Sequence, residues 1–217
     1  MSDRQALDLE LAQGAKQLGC MLSDAQRARL LDYADLLIKW NRVYNLTSVD
    51  SAQGVLRTHL LDSLAVVPAL KRHRAGGRLS ILDVGSGGGL PGTVLAIADP
   101  SWQVRCVDAV GKKTRFVTQV AAELGLSNLA AVHARVEQIE GPTSEVITSR
   151  AFASLSDFTS WTRHLLSPGG CWLAMKARHA DEEIRELPPD LEVFHVEHPE
   201  VPGLGAERCL VWIRLRH

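Results

Sequence analysis

The stretch Asp83-Val84-Gly85-Ser86-Gly87-Gly88-Gly89-Leu90-Pro91-Gly92 decides the fold of this 217-residue chain. An apolar run precedes it, and helical spacing resumes after it. Three glycines at alternate positions let the backbone turn tightly and approach a ligand closely. A proline near the end of the stretch suits the first turn of a helix. Such a loop lies at the carboxyl end of its strand, where open α/β sheets bind ligands.

From this loop towards the carboxyl terminus, short apolar runs alternate with helical segments, which is typical of βαβ units. The turn signal Pro202-Gly203-Leu204-Gly205 separates the last two runs. The pattern predicts an α/β fold with a Rossmann-like, mostly parallel sheet that ends in an antiparallel hairpin. The predicted strands are Leu79 to Val84, Val104 to Val107, Leu129 to Val132, Val146 to Thr148, Cys171 to Met175, Leu191 to Val196 and Cys209 to Leu215.

Towards the amino terminus, the pattern predicts helices. Ser23 and Gln26 fit a capping box at the start of one helix, and Gly19 ends an earlier one. Apolar residues at helical spacing predict a third helix from about Ala52 to Leu70. With Ala75-Gly76-Gly77 as a linker, we expect a helical cap over residues 1–75 and the sheet domain over 76–217.

Composition excludes several classes of protein. No apolar run approaches the roughly 20 residues of a membrane span, and the polar start lacks a signal peptide, so we expect a cytoplasmic protein. The four cysteines lie far apart, which predicts buried thiols and no metal site.

The formal net charge is −1, but the charges are unevenly distributed. Residues 181–200 hold eight acids and one base, so bases exceed acids in the remainder. The cluster Lys71-Arg72-His73-Arg74 with Arg78 allows a basic face for nucleic acid, or equally a solvated surface.

The glycine spacing discriminates between ligands. Counted from Gly85, the dinucleotide pattern G-x-G-x-x-G fails at Leu90; counted from Gly87 it reaches Gly92, but Pro91 makes that register awkward. Asp83 with glycines at 85, 87 and 89 instead resembles the first motif of class I methyltransferases. That resemblance implies a loop around S-adenosylmethionine, with Asp83, Gly85, Gly87 and Gly89 in the cofactor site.

Asp108 ends the second predicted strand, about 20 residues beyond the loop. An acid there can accept hydrogen bonds from both ribose hydroxyls, or it can cap the following helix. Val136 and Glu137 follow the third strand, where backbone groups of such a fold can contact an adenine, or where a short helix can begin.

Motifs along nearly the whole chain resemble the bacterial RsmG proteins, also called GidB, which methylate guanine N7 in 16S ribosomal RNA. Generic methyltransferases share only the loop and the acid, so the match is specific. The motifs are Lys39-Trp40-Asn41, Tyr44-Asn45-Leu46-Thr47, His59-Leu60-Leu61-Asp62-Ser63, Asp83 to Gly92, Asp108 with Gly111-Lys112-Lys113, and Ser149-Arg150-Ala151-Phe152-Ala153-Ser154.

The resemblance implies cofactor contacts at Gly85, Leu90, Val136, Glu137 and Arg150. Guanine N7 carries a lone pair and needs no general base, so Arg150 is expected to position the reactants. The expected partner is 16S ribosomal RNA, in a small subunit or an assembly intermediate, and the protein is expected to be a monomer.

Candidate RNA contacts are Arg57, Lys112, Lys113, Arg115 and Lys176. Trp40 and Tyr44 could stack on bases, although core packing is the stronger interpretation.

His59, Asp62 and Ser63 share a helical face and could gate the pocket, or fix the cap to the sheet by hydrogen bonds. Two other functions remain open at this point: a methyltransferase acting on a small molecule or protein, and a non-catalytic ribosome-assembly factor.

Overall fold

A computed structural model of the chain describes residues 2–74, 77–177 and 180–216. Within these ranges, no helix is both long and apolar enough to span a bilayer. The predicted linker begins at Ala75 and Gly76, which lie outside the described residues, and the division of the chain there stays a prediction.

The sheet has seven strands in the order β3-β2-β1-β4-β5-β7-β6. β1 to β5 run parallel, while β7 is antiparallel to both of its neighbours. The predicted α/β class and its terminal antiparallel hairpin are therefore confirmed. The strands are β1 Ser80–Val84, β2 Gln103–Asp108, β3 Leu129–His133, β4 Ser144–Arg150, β5 Leu166–Lys176, β6 Leu191–Glu197 and β7 Cys209–Leu215.

The remaining elements are helical. Within the described ranges, three of them are not α-helices: a π-helix at Leu56–Leu61 and 3-10 turns at Val136–Gln138 and Arg163–Leu165. The α-helices are α1 Asp3–Gln17, α2 Asp24–Tyr44, α3 Ala52–Val55, α4 Asp62–Leu64, α5 Val66–Arg74, α6 Gly92–Ala98, α7 Gly111–Glu123, α8 Leu155–Thr162 and α9 Asp181–Arg185.

The starts and ends of the first two helices follow from local chemistry. The Ser23 side chain accepts from the Gln26 N–H, and the Gln26 side chain accepts from the Ser23 N–H, which confirms the capping box. Gly19 lies just beyond α1 with φ of +74°, a conformation that favours glycine after a helix.

The third predicted helix differs from the expectation of one regular helix ending near Leu70. The segment passes from α3 through the π-helix and α4, breaks at Ala65, and continues as α5 to Arg74. Pro68 lies in the first turn of α5 and has no N–H to donate to the carbonyl of Leu64, so the helix breaks there.

Strand alternation places apolar side chains on both faces of the sheet. Ile81 and Val146 belong to a core shared with the N-terminal helices, α6 and α7. Their neighbours Leu82 and Ile147 belong to a second core beneath α8. The N-terminal helices therefore pack on one face, and α2 contacts α6 and α7 directly.

Two contacts join α2 to the glycine loop. The Tyr33 hydroxyl, fully buried, donates to the carbonyl oxygen of Gly88 over 2.7 Å. Phe116 of α7 packs between the rings of Tyr33 and Trp40, at centroid distances of 6.3 and 5.4 Å. This supports core packing as the role of Trp40.

We predict that Tyr33→Phe lowers the free energy of unfolding by about 1–3 kcal/mol, because the Gly88 carbonyl is left buried without a donor. Urea denaturation measures this. The matched control is Tyr44→Phe: Tyr44 is 37% exposed, and its hydroxyl has no hydrogen bond to any residue in the described ranges. Its effect should stay within about 0.5 kcal/mol. Equal losses in the two variants would contradict the assignment.

Candidate active site

The glycine loop connects β1 to α6 at the carboxyl edge of the sheet. Gly85, Gly87 and Gly89 have φ of +66°, +57° and +88°, in the left-handed region that favours glycine. A Cβ on Gly87 would meet nothing within 4 Å, whereas one on Gly89 would lie 2.3 Å from the Thr93 hydroxyl. Gly87 therefore faces open space, and Gly89 packs against the first turn of α6.

Asp83, near the end of β1, supports the loop from the side of the sheet. Its side chain is fully buried, and its Oδ2 accepts from the Gly92 N–H over 2.8 Å. Burial raises the pKa of Asp83 from 3.8 to about 7, although the Gly92 hydrogen bond opposes this shift. Asp83 lines neither of the cavities described below, so the structure brings it to the loop but not to the open face.

Asp108, at the end of β2, links the loop to α7. Its Oδ2 accepts from the Gly87 N–H over 2.9 Å and its Oδ1 from the Val110 N–H over 2.8 Å. The Lys113 ammonium lies 3.7 Å from Oδ2. A carboxylate has about four lone-pair sites, so two acceptor positions remain for a ligand.

Asp108 borders a cavity of about 380 Å³, together with the Gly85 backbone and the 3-10 turn at Val136–Gln138. Val136 and Glu137 both line it, and so do the rings of Phe152 and Trp161, which pack edge to face at 5.8 Å. An acid, a helical turn and aromatic rings thus surround one space.

A second cavity of about 650 Å³ lies on the other side of Gly85. The loop after α2 forms one wall, from Leu46 to Val49, and Gly87 and Leu90 form another. Arg150 also lines it, as does Lys176 at the end of β5. Because Gly85 lines both cavities, the two spaces adjoin at the centre of the glycine loop.

Arg150 ends β4 and is held by the π-helical segment. Its Nη1 donates to the carbonyl oxygen of Thr58 over 3.0 Å and to Asp62 Oδ2 over 3.2 Å. Its Nε and Nη2 have no hydrogen-bond partner among the residues that the structure describes. The side chain is 20% exposed, so Arg150 is not a surface arginine.

His59 belongs to the same network. Its Nε2 lies 2.6 Å from the Thr47 hydroxyl, and its Nδ1 lies 2.9 Å from the carbonyl oxygen of Thr58. Nδ1 also lies 3.3 Å from Arg150 Nη1, so it contacts both an acceptor and a donor, and these distances alone do not assign its proton. Burial, followed by the charge of Arg150, lowers the pKa of His59 to about 4, so the imidazole is neutral near pH 7.

These bonds support one of the two interpretations of the shared face of His59, Asp62 and Ser63, the hydrogen-bonded network. Asp62 accepts a hydrogen bond from Arg150 of β4, and His59 Nδ1 lies 3.3 Å from the same guanidinium, so both residues contact the sheet, as one interpretation predicted. The bond between His59 and Thr47 lies within the N-terminal region. Ser63 has no hydrogen bond to the sheet, since its buried hydroxyl has no partner within the described part of the chain.

The candidate RNA contacts are dispersed. Lys176 donates to Ala153 O and pairs with Glu183 at 2.8 Å. Arg57 pairs with Glu10 at 2.5 Å and borders a different cavity, against α1. Lys112 and Arg115 are exposed on α7. The basic cluster before β1 is partly neutralised, because Lys71 pairs with Asp99 at 3.8 Å and Arg72 pairs with Glu197.

One residue at the larger cavity has no signal in the sequence. Arg208 precedes β7, and its Nε donates to Asp62 Oδ1 over 2.6 Å. Asp62 is distant by 146 positions, and nothing in the local pattern points to this pairing.

The burial of the cysteines matches the expectation. All four cysteines are buried, and none of them forms a disulfide within the described ranges. No group of three metal-ligating side chains occurs in the described part of the chain.

Comparison with known proteins decides the family. The model of the family "rRNA small subunit methyltransferase G" (GidB) matches residues 26–211. The chain belongs to this family. A relative of that name from Acidovorax ebreus is 55% identical over 96% of each chain. Another from Leptothrix cholodnii is 56% identical over 95% of this chain and 94% of its own.

Solved structures share the fold of this family member at low identity. A glycopeptide N-methyltransferase complexed with sinefungin has a TM-score of 0.60 at 14% identity, covering 72% of this chain and 87% of its own. A ribosomal protein L11 methylase from Lactobacillus delbrueckii has a TM-score of 0.56 at 14% identity, covering 72% and 79%. The expected Rossmann-like class I methyltransferase fold and the resemblance to GidB proteins are confirmed, and S-adenosylmethionine is the cofactor of this family.

The raised pKa of Asp83 predicts a pH-dependent stability. Between about pH 4 and 7, the folded protein keeps a proton that the unfolded chain has lost, so this contribution falls as pH rises. Because of Asp83, the free energy of unfolding of the wild type should fall by an amount on the order of a few kcal/mol between about pH 5 and pH 8. We predict that Asp83→Asn does not show this fall.

Urea denaturation of both proteins at the two pH values measures the difference. His59, whose lowered pKa has the opposite effect, is present in both and cancels. An identical change with pH in the two proteins would show that Asp83 is ionised when folded.

Proposed function

We propose that the chain transfers the methyl group of S-adenosylmethionine to N7 of a specific guanine in 16S ribosomal RNA. One observation carries the proposal: two cavities meet at Gly85, one with an acid suited to a ribose and the other with a partly free guanidinium. A cofactor and a base can thus lie side by side.

The residues present fit the cofactor. Gly87 leaves open space above the loop, where a Cβ would otherwise stand. Asp108 retains two acceptor positions for ribose hydroxyls, and the 3-10 turn offers backbone groups of Val136 and Glu137 for an adenine edge. When bound, the cofactor supplies an electrophilic methyl group on a sulfonium. Gly85, Leu90 and Arg150 are the remaining residues that we assign to it; Asp83 and Gly89 act by shaping the loop.

The chemistry required of the protein is positioning. Guanine N7 attacks through an in-plane lone pair, so no proton is removed first. The cavity matches this requirement. His59 is bonded through both nitrogens, and both Asp62 oxygens accept from guanidinium groups, so neither is arranged as a free base. Arg150, fixed through Nη1, presents Nε and Nη2 to a ligand.

RNA binding requires cations without acidic partners. Lys112 and Arg115, exposed near the start of α7, are the sequence candidates that best meet this requirement. Lys113 and Lys176 lie beside the site, but Asp108 and Glu183 partly neutralise them. Arg57 lies against α1, away from both cavities, and is the weakest candidate. A structured subunit in the cytoplasm, bound by a monomer, is the context that we propose.

Methyl transfer from labelled S-adenosylmethionine to purified small subunits that lack the native guanine methylation tests the proposal. We expect label in 7-methylguanosine, identified by mass spectrometry of the nucleosides. Label in another acceptor would indicate a different methyltransferase. Cofactor binding without any transfer to RNA would favour a non-catalytic assembly factor.

We predict that Asp108→Ala weakens cofactor binding, since each hydrogen bond to a charged acceptor contributes about 1.5–3 kcal/mol. Asp108→Asn keeps one acceptor oxygen for the loop, so its cofactor affinity should fall less than that of Asp108→Ala. Isothermal titration with the cofactor measures both, with Asp35→Ala as the control because Asp35 is an exposed partner of Arg4. Unchanged affinity in Asp108→Ala would remove Asp108 from the site.

A further inference from the structure

The larger cavity carries an excess of positive charge, because its cationic side chains outnumber the carboxylates that pair with them. Arg150, Lys176 and Arg208 line it, and Asp62 is the one acid among its described lining residues. Lys176 is neutralised by Glu183, which lies behind it. The two arginines share Asp62, so one positive charge remains in excess.

Asp62 holds the two arginines side by side. Its side chain is 1% exposed, with Oδ1 2.6 Å from Arg208 Nε and Oδ2 3.2 Å from Arg150 Nη1. A buried carboxylate is stable only when its charge is matched and its oxygens are bonded. Removing either guanidinium would leave Asp62 partly unsatisfied, so both arginines are kept at the cavity wall.

Arg208 retains donors that this pairing does not use. Its Nη1 donates to Glu207 O over 3.0 Å, and its Nη2 has no hydrogen-bond partner in the described ranges. The side chain is 18% exposed, and it lines both the larger cavity and a neighbouring groove. It is therefore a pre-positioned donor rather than a mobile surface charge.

We propose that Arg208 binds a phosphate group of the target RNA beside the methylated guanine. The inference rests on the proposed function and adds to it the residue that anchors the nucleotide. The excess positive charge adjoins the space for the cofactor, so the partner of Arg208 is an anion. The one anionic group of the cofactor is its methionine carboxylate, and the cofactor affinity of the variant below distinguishes that carboxylate from an RNA phosphate. Guanidinium groups bind phosphate oxygens through charge-assisted hydrogen bonds.

The acidic residues near Arg208 indicate that this phosphate binds in the larger cavity. Arg208 also borders a groove of about 440 Å³, which Glu200 and Glu207 line. Those carboxylates repel an RNA backbone. The contact therefore belongs to the larger cavity, where Arg150 and the glycine loop lie.

The salt dependence of RNA binding distinguishes this role from a structural one. Each phosphate contact steepens the fall of log affinity with log salt concentration by about 0.7 to 0.9. Binding of unmethylated small subunits is measured at several KCl concentrations and constant Mg²⁺, for the wild type and for Arg208→Gln. Glutamine can still donate to Asp62, but it carries no charge.

We expect Arg208→Gln to weaken subunit binding by about 10- to 100-fold and to raise KM for the subunits similarly. The salt slope should become shallower by about one contact, while cofactor affinity stays within about twofold. Arg214→Gln is the matched control: Arg214 also pairs through Nε with a carboxylate, Glu192, but at the far end of β7. It should behave as the wild type.

A wild-type salt slope in Arg208→Gln would overturn the inference, and so would a loss of cofactor affinity in that variant, which would place Arg208 with the cofactor. Failure of the proposed function looks different. In that case the wild type itself neither binds nor methylates the subunits, although it binds the cofactor.

Discussion

The backbone from Gly85 to Gly89 passes through the left-handed region three times within five residues, and the remainder of the site depends on this path. The loop turns back on itself, so the Gly85 and Ser86 N–H groups can donate to the carbonyl of Val107. The Gly87 N–H then reaches Asp108. Side chains at these positions would be strained whatever the available space. The loop thus brings the ends of β1 and β2 together as one surface.

Buried polar groups hold this surface in place from three directions. Asp83 supports the loop from the sheet, Tyr33 holds it from α2, and Asp108 holds it from β2. Each group is desolvated, so each is costly unless its hydrogen bond is made. The loop is consequently rigid where a ligand would approach. Such a rigid surface suits a reaction in which the protein mainly orients two reactants.

A second buried side chain, Asp62, holds the N-terminal helices in place by hydrogen bonds, as Asp83 holds the glycine loop. It begins α4, directly after the π-helix, and joins this segment to β4 through Arg150 and to the residue before β7 through Arg208. The N-terminal helices are therefore part of the cavity wall. This explains why family motifs extend over the helical region as well as the glycine loop. Thr47 and His59, from two of those motifs, hydrogen-bond to each other beside the cavity.

The sequence by itself determined which strands and helices follow one another along the chain, the glycine loop and the acid at the end of β2, because these depend on local periodicity and short-range backbone constraints. It also identified the family through motifs in continuous stretches. Only the tertiary structure decided that Asp83 lies beneath the loop, that Lys176 is paired with Glu183, and that Arg208 joins Asp62. Pro68 is a sequence signal that could have predicted the break at Ala65. No comparable signal predicts the π-helix before it. Ion pairs between distant residues depend on which elements the fold brings together, and no periodicity along the chain encodes that.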